Sequence, residues 1–449
     1  MVTASPDTRY NTLPPGAADM YRRLSILPLP GGNFDSTYAA ALTGRPRPDA
    51  ENILAVLAST SLVESASADE SRGAFYRFDD TTRAHAAGRL AQEPPEHRAE
   101  VLRRALDYLL DTASRAEHRL TPTHRPLARE YVHPPADPLV FETDAAALAW
   151  LEAHRDTLLT AITAADEAGI DSVVWQLTHA LWPLLRARHD HDLWDQTHRR
   201  ALGAARRCQN RTAELEILGT WGVGLRTAGL HADAIEAFDQ VLQLAHTHGD
   251  PRAEAQALHE LGATHLAAKR PQEAESFLLQ ARSLRTALIH HAEANDDTDS
   301  ERTFRRAVAV TDVALGQTQL LLGRSGEAVA TLSSARATLL TIPDPFDAAR
   351  AMAWLGRAHA LNGDTNQGEQ HGRQAITETD QLGTPQGQAR SRELLGQTLQ
   401  EAGRREDARH LYQDAVRLYS PIGRPDRTRV LERLGELATR TEGDSDNEA

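Results

Sequence analysis

The sequence predicts an all-α protein whose C-terminal half is an open array of helix pairs. Three observations support this: the composition, a glycine-containing residue pair that recurs about every forty positions, and helix-capping residues that recur in step with it. Ala, Leu, Arg, Glu and Gln are abundant among the 449 residues, while aromatic residues make up 5%. Straight side chains keep their rotamers in helices, so this composition favours helix over sheet. The length favours several domains or a repeat array over one core.

A Leu-Gly or Trp-Gly pair recurs in the C-terminal half, with steps between glycines of 40, 54, 40, 40 and 39 residues. The glycines of these pairs are Gly222, Gly262, Gly316, Gly356, Gly396 and Gly435. A small residue follows most of them twelve positions later and a larger or variable one sixteen positions later, as Ala234 and Phe238 follow Gly222. Small residues at a fixed period let antiparallel helices approach closely. We therefore predict that each glycine lies where two helices meet.

Helix punctuation repeats with the same period. Asn210, Asp250, Asp344 and Thr384 lie twelve residues before a pair glycine, where a side-chain oxygen can cap a helix, and a proline follows three of them. Seven residues after the pair glycine, Gly229, Gly323, Gly363 and Gly403 fit the turn between two helices, and Lys269 takes that place in the second unit. The longest step holds 54 − 40 = 14 added residues. The polar stretch 290–300 is predicted to accommodate them as an exposed loop or as extended helix ends.

This pattern resembles the tetratricopeptide repeat (TPR) family over residues 210–441, with a period longer than the usual figure of about 34. The resemblance implies a right-handed superhelix whose first helices line a concave groove for a protein or peptide. The family's groove positions correspond here to Arg226, His259, Val313, Gln317, Leu320, Arg350, Arg357, Leu361, Arg390, Gln397 and Gln400. We expect an apolar ligand segment near the third unit and an acidic group or C-terminal carboxylate near Arg350, Arg357 and Arg390. Solvated arginines without a ligand are the alternative.

Upstream of the array, the sequence predicts less regular helices. Residues 143–209 are interpreted as degenerate helical repeats, with a helix capped at Thr143, a second around 175–185 and a third around 194–205. Five prolines between Pro122 and Pro138 cannot continue a helix, so residues 91–142 are predicted to be a helix followed by a proline-rich linker. Residues 442–449 are acidic and are predicted to be a disordered tail.

The N-terminal segment, residues 14–90, has a different pattern. Helices are predicted over 21–28, 34–42 and 48–58, followed by strands at 61–64 and 74–78 that a polar loop at 68–73 connects. Three helices and a hairpin predict a winged-helix domain. The block resembles the winged helix of STAND-class regulators of the NB-ARC type, through Leu24-Ser25-Ile26-Leu27-Pro28, Phe34-Asp35 and the stretch 76–86.

In those regulators a histidine of the last stretch senses the nucleotide, and here Asp79 takes its place beside Asp80, where two carboxylates would repel a diphosphate. No G-x-x-x-x-G-K-[ST] loop is present, and Lys269 is the only lysine. The chain therefore resembles the C-terminal portion of such a regulator without its nucleotide-binding module.

The charge and the scattered polar residues argue against other classes. The formal charge of −14 would repel nucleic acid, and residues 48–59 of the third N-terminal helix contain no Arg or Lys for base or phosphate contact. His189-Asp190-His191-Asp192 is interpreted as a solvated turn, and Cys208 as a small core residue. We expect no catalytic residue, metal or cofactor, and a cytoplasmic protein, because the chain shows neither a signal peptide nor a membrane-length apolar run.

These expectations define the function as that of a regulatory or sensor module that binds a protein or peptide. Two alternatives stay open: a DNA-binding transcriptional regulator that senses a peptide, and an accessory protein of a biosynthetic enzyme.

Overall fold

The computed structural model describes residues 5–27, 33–69, 73–122, 124–342, 344–420 and 424–445. The chain divides into two compact units. The first comprises residues 1–186 and 192–217, and the second comprises residues 187–191 and 218–449.

The first unit begins with helices and a small antiparallel sheet of strand order β1-β3-β2. Its elements are α1 (Pro6–Tyr10), α2 (Pro15–Arg23), β1 (Asn33–Phe34), α3 (Ser36–Thr43), α4 (Arg47–Ser59), β2 (Glu64–Asp69), β3 (Gly73–Arg77) and α5 (Asp80–Leu90). Tyr21, Leu42 and Leu57 are fully buried in its core, and the Tyr21 hydroxyl donates to the carbonyl of Thr82 at 2.7 Å.

The predicted N-terminal boundaries need correction in several places, and the first helix ends at Arg23 instead of continuing toward residue 28. The first helix begins earlier, at Pro15, because a proline at the first helical position is already set to a helical φ. The second begins at Ser36, because Asp35 caps it by accepting from the amide of Tyr38 at 2.8 Å, which leaves Phe34 in a strand. The first hairpin strand begins at Glu64, later than predicted. Pro28 and residues 70–72, which are half of the predicted loop, lie outside the described residues.

The rest of the first unit is helical except for the proline-rich segment. Its helices are α6 (Pro95–Leu120), α7 (Asp144–Ala153), α8 (Arg155–Glu167), α9 (Asp171–Ala180), α10 (Trp182–Arg188) and α11 (His191–Arg207). Thr143 caps α7, as predicted. The predicted helix over 175–185 is two helices, since Pro183 has no N–H to continue the first.

The segment between α6 and α7 packs against the helices around it. The amides of Val132 and His133 donate to Asp107 of α6 at 3.0 and 2.7 Å. The amide of Glu130 donates to the side chain of Gln176 of α9 at 2.9 Å. The segment is free of helix where it is described, as the prolines predict, and it lies within the first compact unit.

The helix pairs form the second unit. The boundary between the two units lies within the first helix of the first pair. The helices are α12 (Arg211–Thr227), α13 (His231–His248), α14 (Pro251–Ala267), α15 (Pro271–Ala294), α16 (Thr298–Leu321), α17 (Ser325–Thr341), α18 (Pro345–Leu361), α19 (Thr365–Leu382), α20 (Pro385–Glu401), α21 (Arg405–Tyr419) and α22 (Arg424–Ser445). The added residues of the longest step extend α15 and α16 to 24 residues each, so His290 and His291 are helical. The extended-helix alternative is therefore correct.

The recurring glycines lie where the helices of a pair meet, as predicted. A Cβ built on Gly316 would lie 2.5 Å from Leu332, and one on Gly222 would lie 2.7 Å from Phe238. Each partner is the residue sixteen positions after its glycine. Gly435 of α22 is the exception, because no atom beyond its own helix lies within 4 Å of the added Cβ.

The predicted caps and turns are also present. Asn210, Asp250 and Asp344 each accept a hydrogen bond of 3.0 Å from the amide three residues later. Thr384 lies at the equivalent position but its hydroxyl caps nothing. Lys269 adopts a φ of 58° in the place that glycine occupies in other units.

Three further findings concern the tail, the cysteine and membranes. Helix α22 continues to Ser445, so the disordered tail was predicted to begin too early, and residues 446–449 lie outside the described part. Cys208 is exposed and not in the core, because α11 ends at Arg207 and the chain turns there. None of the helices in the described ranges is long and apolar enough to cross a membrane.

Candidate functional site

The first helices of successive pairs form one face of the second unit. Helix α14 contacts α16, α16 contacts α18, and α18 contacts α20. Among the described residues, these contacts are more extensive than those between second helices of neighbouring pairs. The first helices therefore lie closer to one another than the second helices do, and they form the face on which the sequence predicts a groove.

Most of the predicted groove residues are half-buried on these first helices. They are Arg226, His259, Gln317, Leu320, Arg350, Arg390, Gln397 and Gln400. Leu361, at the end of α18, is exposed. Val313 is fully buried and packs with Leu332 and Leu355, so it belongs to the core between helices and not to the groove.

The three arginines expected to hold an acidic ligand already pair with carboxylates of the protein. Arg350 Nη2 lies 2.8 Å from Asp347, and Arg390 Nη2 lies 2.9 Å from Asp426. Arg357, which is 9% exposed, donates from both terminal nitrogens to Glu401. An acidic ligand at these positions would have to compete with the existing ion pairs.

A buried carboxylate organises the C-terminal end of the array. Glu393 accepts from Arg429 through two hydrogen bonds of 2.8 Å and from the Tyr419 hydroxyl at 3.1 Å, and it also pairs with Arg390. Burial by itself would raise the pKa of Glu393, but the charges of Arg390 and Arg429 outweigh it and lower that pKa. The carboxylate is therefore ionised and joins α20, α21 and α22.

A second set of charged residues surrounds His259, near the beginning of the array. Arg226 of α12 pairs with Glu260 at 2.9 Å, and His259 Nδ1 lies 3.3 Å from the Thr311 hydroxyl. Burial, with the charges of Arg285 and its neighbours, holds the pKa of His259 well below the usual value. The prediction missed Arg285, because it lies on the second helix α15 and reaches this face through its long side chain.

In the first unit, Glu117, His124 and His179 are close enough to hold a metal ion. Nδ1 of each histidine lies 2.9 Å from Glu117 Oε1. Arg129 Nη2 pairs with the other oxygen and lies 3.0 Å from His179 Nδ1, so a cation here would meet a guanidinium. Burial is the main reason that the pKa of His179 is lowered to about 4. We interpret these side chains as a hydrogen-bonded cluster that holds the proline-rich segment against α6 and α9.

The helix pairs with glycine at their contacts define a TPR-type solenoid. The tetratricopeptide repeat family matches residues 213–287. The regulatory protein AfsR of Streptomyces griseus is 26% identical over 462 residues, which cover 96% of this chain and 45% of that protein. AfsR of Streptomyces coelicolor is 32% identical over 167 residues, 36% of this chain and 16% of that protein.

The chain spans less than half the length of these curated relatives. Among solved structures, a signal transduction ATPase with numerous domains (STAND) that carries a TPR sensor, from Pyrococcus horikoshii, has a TM-score of 0.53 at 15% identity. The alignment covers 95% of this chain and 53% of that one, and it shows a shared fold. The chain therefore carries a TPR array and is similar over nearly its whole length to the regulatory protein of Streptomyces griseus.

Proposed function

We propose that this chain is a regulatory module that binds a protein or peptide segment in the groove of its TPR array. The observation that carries the proposal is the row of half-buried polar and charged side chains along the first helices, from Arg226 to Gln400. Such side chains retain partial contact with solvent and can exchange water for a ligand. The similarity to regulatory proteins supports the regulatory role.

We also propose that α2, α3, α4 and the three-stranded sheet are a winged helix that contacts protein and not DNA. The order of helices and strands and the β2–β3 hairpin support this assignment. Asp49 and Glu51 are exposed on α4, and Arg47 is paired with Glu51 at 3.1 Å. A helix face that carries carboxylates and no unpaired arginine is poorly suited to contact phosphate or guanine.

Site-specific photocrosslinking tests the groove. A photoreactive residue would replace Gln317 or Gln397 on the inner face, and Leu340, which is 60% exposed on the second helix α17, in a matched control. In cells that express the chain, we expect the inner positions to crosslink to one common partner that the control position does not capture. Equal capture from Leu340, or none from the inner positions, would refute groove binding.

A gel-shift assay with genomic fragments tests the winged-helix assignment. At low salt, where phosphate contacts are strongest, we expect no retained DNA. Retention that disappears in an Arg47→Glu variant would instead establish the DNA-binding alternative.

A further inference from the structure

The first unit contains a recess between the sheet and helices α3, α6 and α8. Aromatic side chains form much of its wall, namely Phe34, Tyr38, Phe75 and Tyr108. The rings of Tyr38 and Tyr108 meet edge to face, with their centres 5.6 Å apart. The recess contains about 330 Å³ of empty space, part of it open to solvent, but the centre of a water-sized group has only about 20 Å³ in which to move. It therefore admits a slender chain or a small head group and excludes a bulky ring.

One carboxylate lines this recess and has no ionic partner among the described residues. Oδ1 of Asp35 accepts from the amide of Tyr38 at 2.8 Å, which caps α3 and leaves Oδ2 without a described donor. Burial chiefly, and then the negative charge of Asp35, raises the pKa of Tyr108, so this charge acts on the wall. Arg47 opposes that effect, but it is paired with Glu51 at 3.1 Å. Among Asp35, Arg47 and Glu51, one negative charge is therefore in excess.

A buried hydroxyl adds an unsatisfied hydrogen-bonding group to the same wall. Tyr38 is 4% exposed, and its hydroxyl forms no hydrogen bond with a described group. Burial raises the pKa of this hydroxyl, so it is neutral at physiological pH and can accept a hydrogen bond. A buried polar group without a partner costs free energy, and a donor that entered the recess would remove that cost. The wall therefore favours an occupant that carries N–H or O–H groups.

We propose that this recess binds a primary alkylammonium group, held by the carboxylate of Asp35, the hydroxyl of Tyr38 and the surrounding aromatic rings. The ammonium supplies a positive charge and three N–H donors, which match a carboxylate oxygen and an unsatisfied hydroxyl. Aromatic rings attract a cation, and the methylene groups behind it pack against them. An anion would be repelled by Asp35, and a neutral apolar group would bury that carboxylate without a partner. The site lies in the first unit and does not depend on the proposed groove function.

Ligand-observed NMR titrations of the full chain test this proposal. The probes are n-butylammonium, neutral butanol of similar shape, and tetramethylammonium, which has the same charge but no N–H group, each at constant ionic strength. We expect butylammonium to bind about 10-fold more tightly than butanol, because its hydrogen bond to Asp35 is assisted by charge. Tetramethylammonium is broader and donates no hydrogen bond, so it should bind no better than butanol. Equal affinities for butylammonium and butanol, or the highest affinity for tetramethylammonium, would overturn the proposal.

Matched variants locate the binding site. Asp35→Asn removes the charge but keeps a side-chain oxygen that can cap α3, and Tyr38→Phe removes only the hydroxyl. The first should lower the affinity for butylammonium about 10-fold and the second about 5-fold. Asp364→Asn is the control, because exposed Asp364 also caps a helix, α19, by accepting from the amide of Gln367 at 3.0 Å. Unchanged affinity in both recess variants, or an equal loss in the control, would place the binding elsewhere and refute this site.

A fourth probe distinguishes the two sources of such a group, a free amine and a lysine side chain. Nα-acetyl-lysinamide presents the lysine chain with the peptide bonds on either side of it. Binding as tight as that of butylammonium would assign the recess to a lysine of a bound protein. Binding about 10-fold weaker would assign it to a free small amine, because the added peptide groups then collide with the rim. The comparison of butylammonium with butanol uses the unaltered chain, so it decides the proposal even if a variant does not fold.

Discussion

Replacing Gly356 with alanine tests whether the recurring glycines are required for close helix approach. The new Cβ would lie 2.9 Å from the carbonyl oxygen of Gly368 and 2.9 Å from the amide nitrogen of Gly372, both backbone atoms of α19. Ordinary contact begins at 3.4 Å, so α18 and α19 must separate by about 3.4 − 2.9 = 0.5 Å. Overpacking of this kind costs about 1–3 kcal/mol, which the gain in helix propensity of about 1 kcal/mol only partly offsets.

Gly219→Ala is the matched control, because Gly219 also lies inside a first helix, α12, and no atom beyond that helix comes within 4 Å of its added Cβ. The control keeps the gain of about 1 kcal/mol without the clash. Urea unfolding followed by circular dichroism should therefore place the Gly356→Ala midpoint below that of Gly219→Ala, by the equivalent of about 1–3 kcal/mol. Equal midpoints would refute the role assigned to the close contact.

Three further predictions concern individual residues. Glu393→Gln removes the buried carboxylate that pairs with Arg390 and Arg429, and it should lower thermal stability by about 3 kcal/mol. Because the pKa of Glu393 is lowered in the folded protein, the wild-type advantage should disappear in acid, where Glu393 is protonated. Burial lowers the pKa of His198 from 6.5 to about 3, so below pH 6.5 the unfolded chain binds a proton that the native state does not bind. The free energy of unfolding should therefore fall by about 1.4 kcal/mol per pH unit below pH 6.5, and His198→Gln should flatten this slope in acid unfolding curves. Lys269→Gly should raise the melting temperature by the equivalent of about 1 kcal/mol, because glycine adopts a φ of 58° without a steric penalty; a lower melting temperature would show that the lysine stabilises the turn in another way.

The repeat array could be predicted because close packing leaves a direct mark on sequence. Where two helices come close, as at Gly316 and Leu332, a large side chain on one helix requires a residue without a side chain on the other. The spacing of sixteen residues between the two positions follows from the length of a helix and a turn. Caps leave a similar mark, since Asp250 and Asp344 hydrogen-bond to amides three residues away. Local constraints of this kind can be recognised in a single sequence.

Boundaries in the first unit were less predictable, because residues distant in sequence decide them. Phe34 belongs to a strand since it pairs with Tyr76, and the helical pattern around it gave no sign of that partner. The proline-rich segment was correctly predicted to lack helix, but its attachment to Asp107 and Gln176 depends on contacts across tens of residues. The composition excluded a helix in this segment, but it did not identify the residues that the segment contacts.

The groove arginines show the same limit. Arg357 pairs with Glu401, 44 residues away, and Arg390 pairs with Asp426, 36 residues away, so each partner lies about one repeat further along. These pairs bridge successive repeats, and a ligand that displaced such a carboxylate would lose an interaction as it gained one.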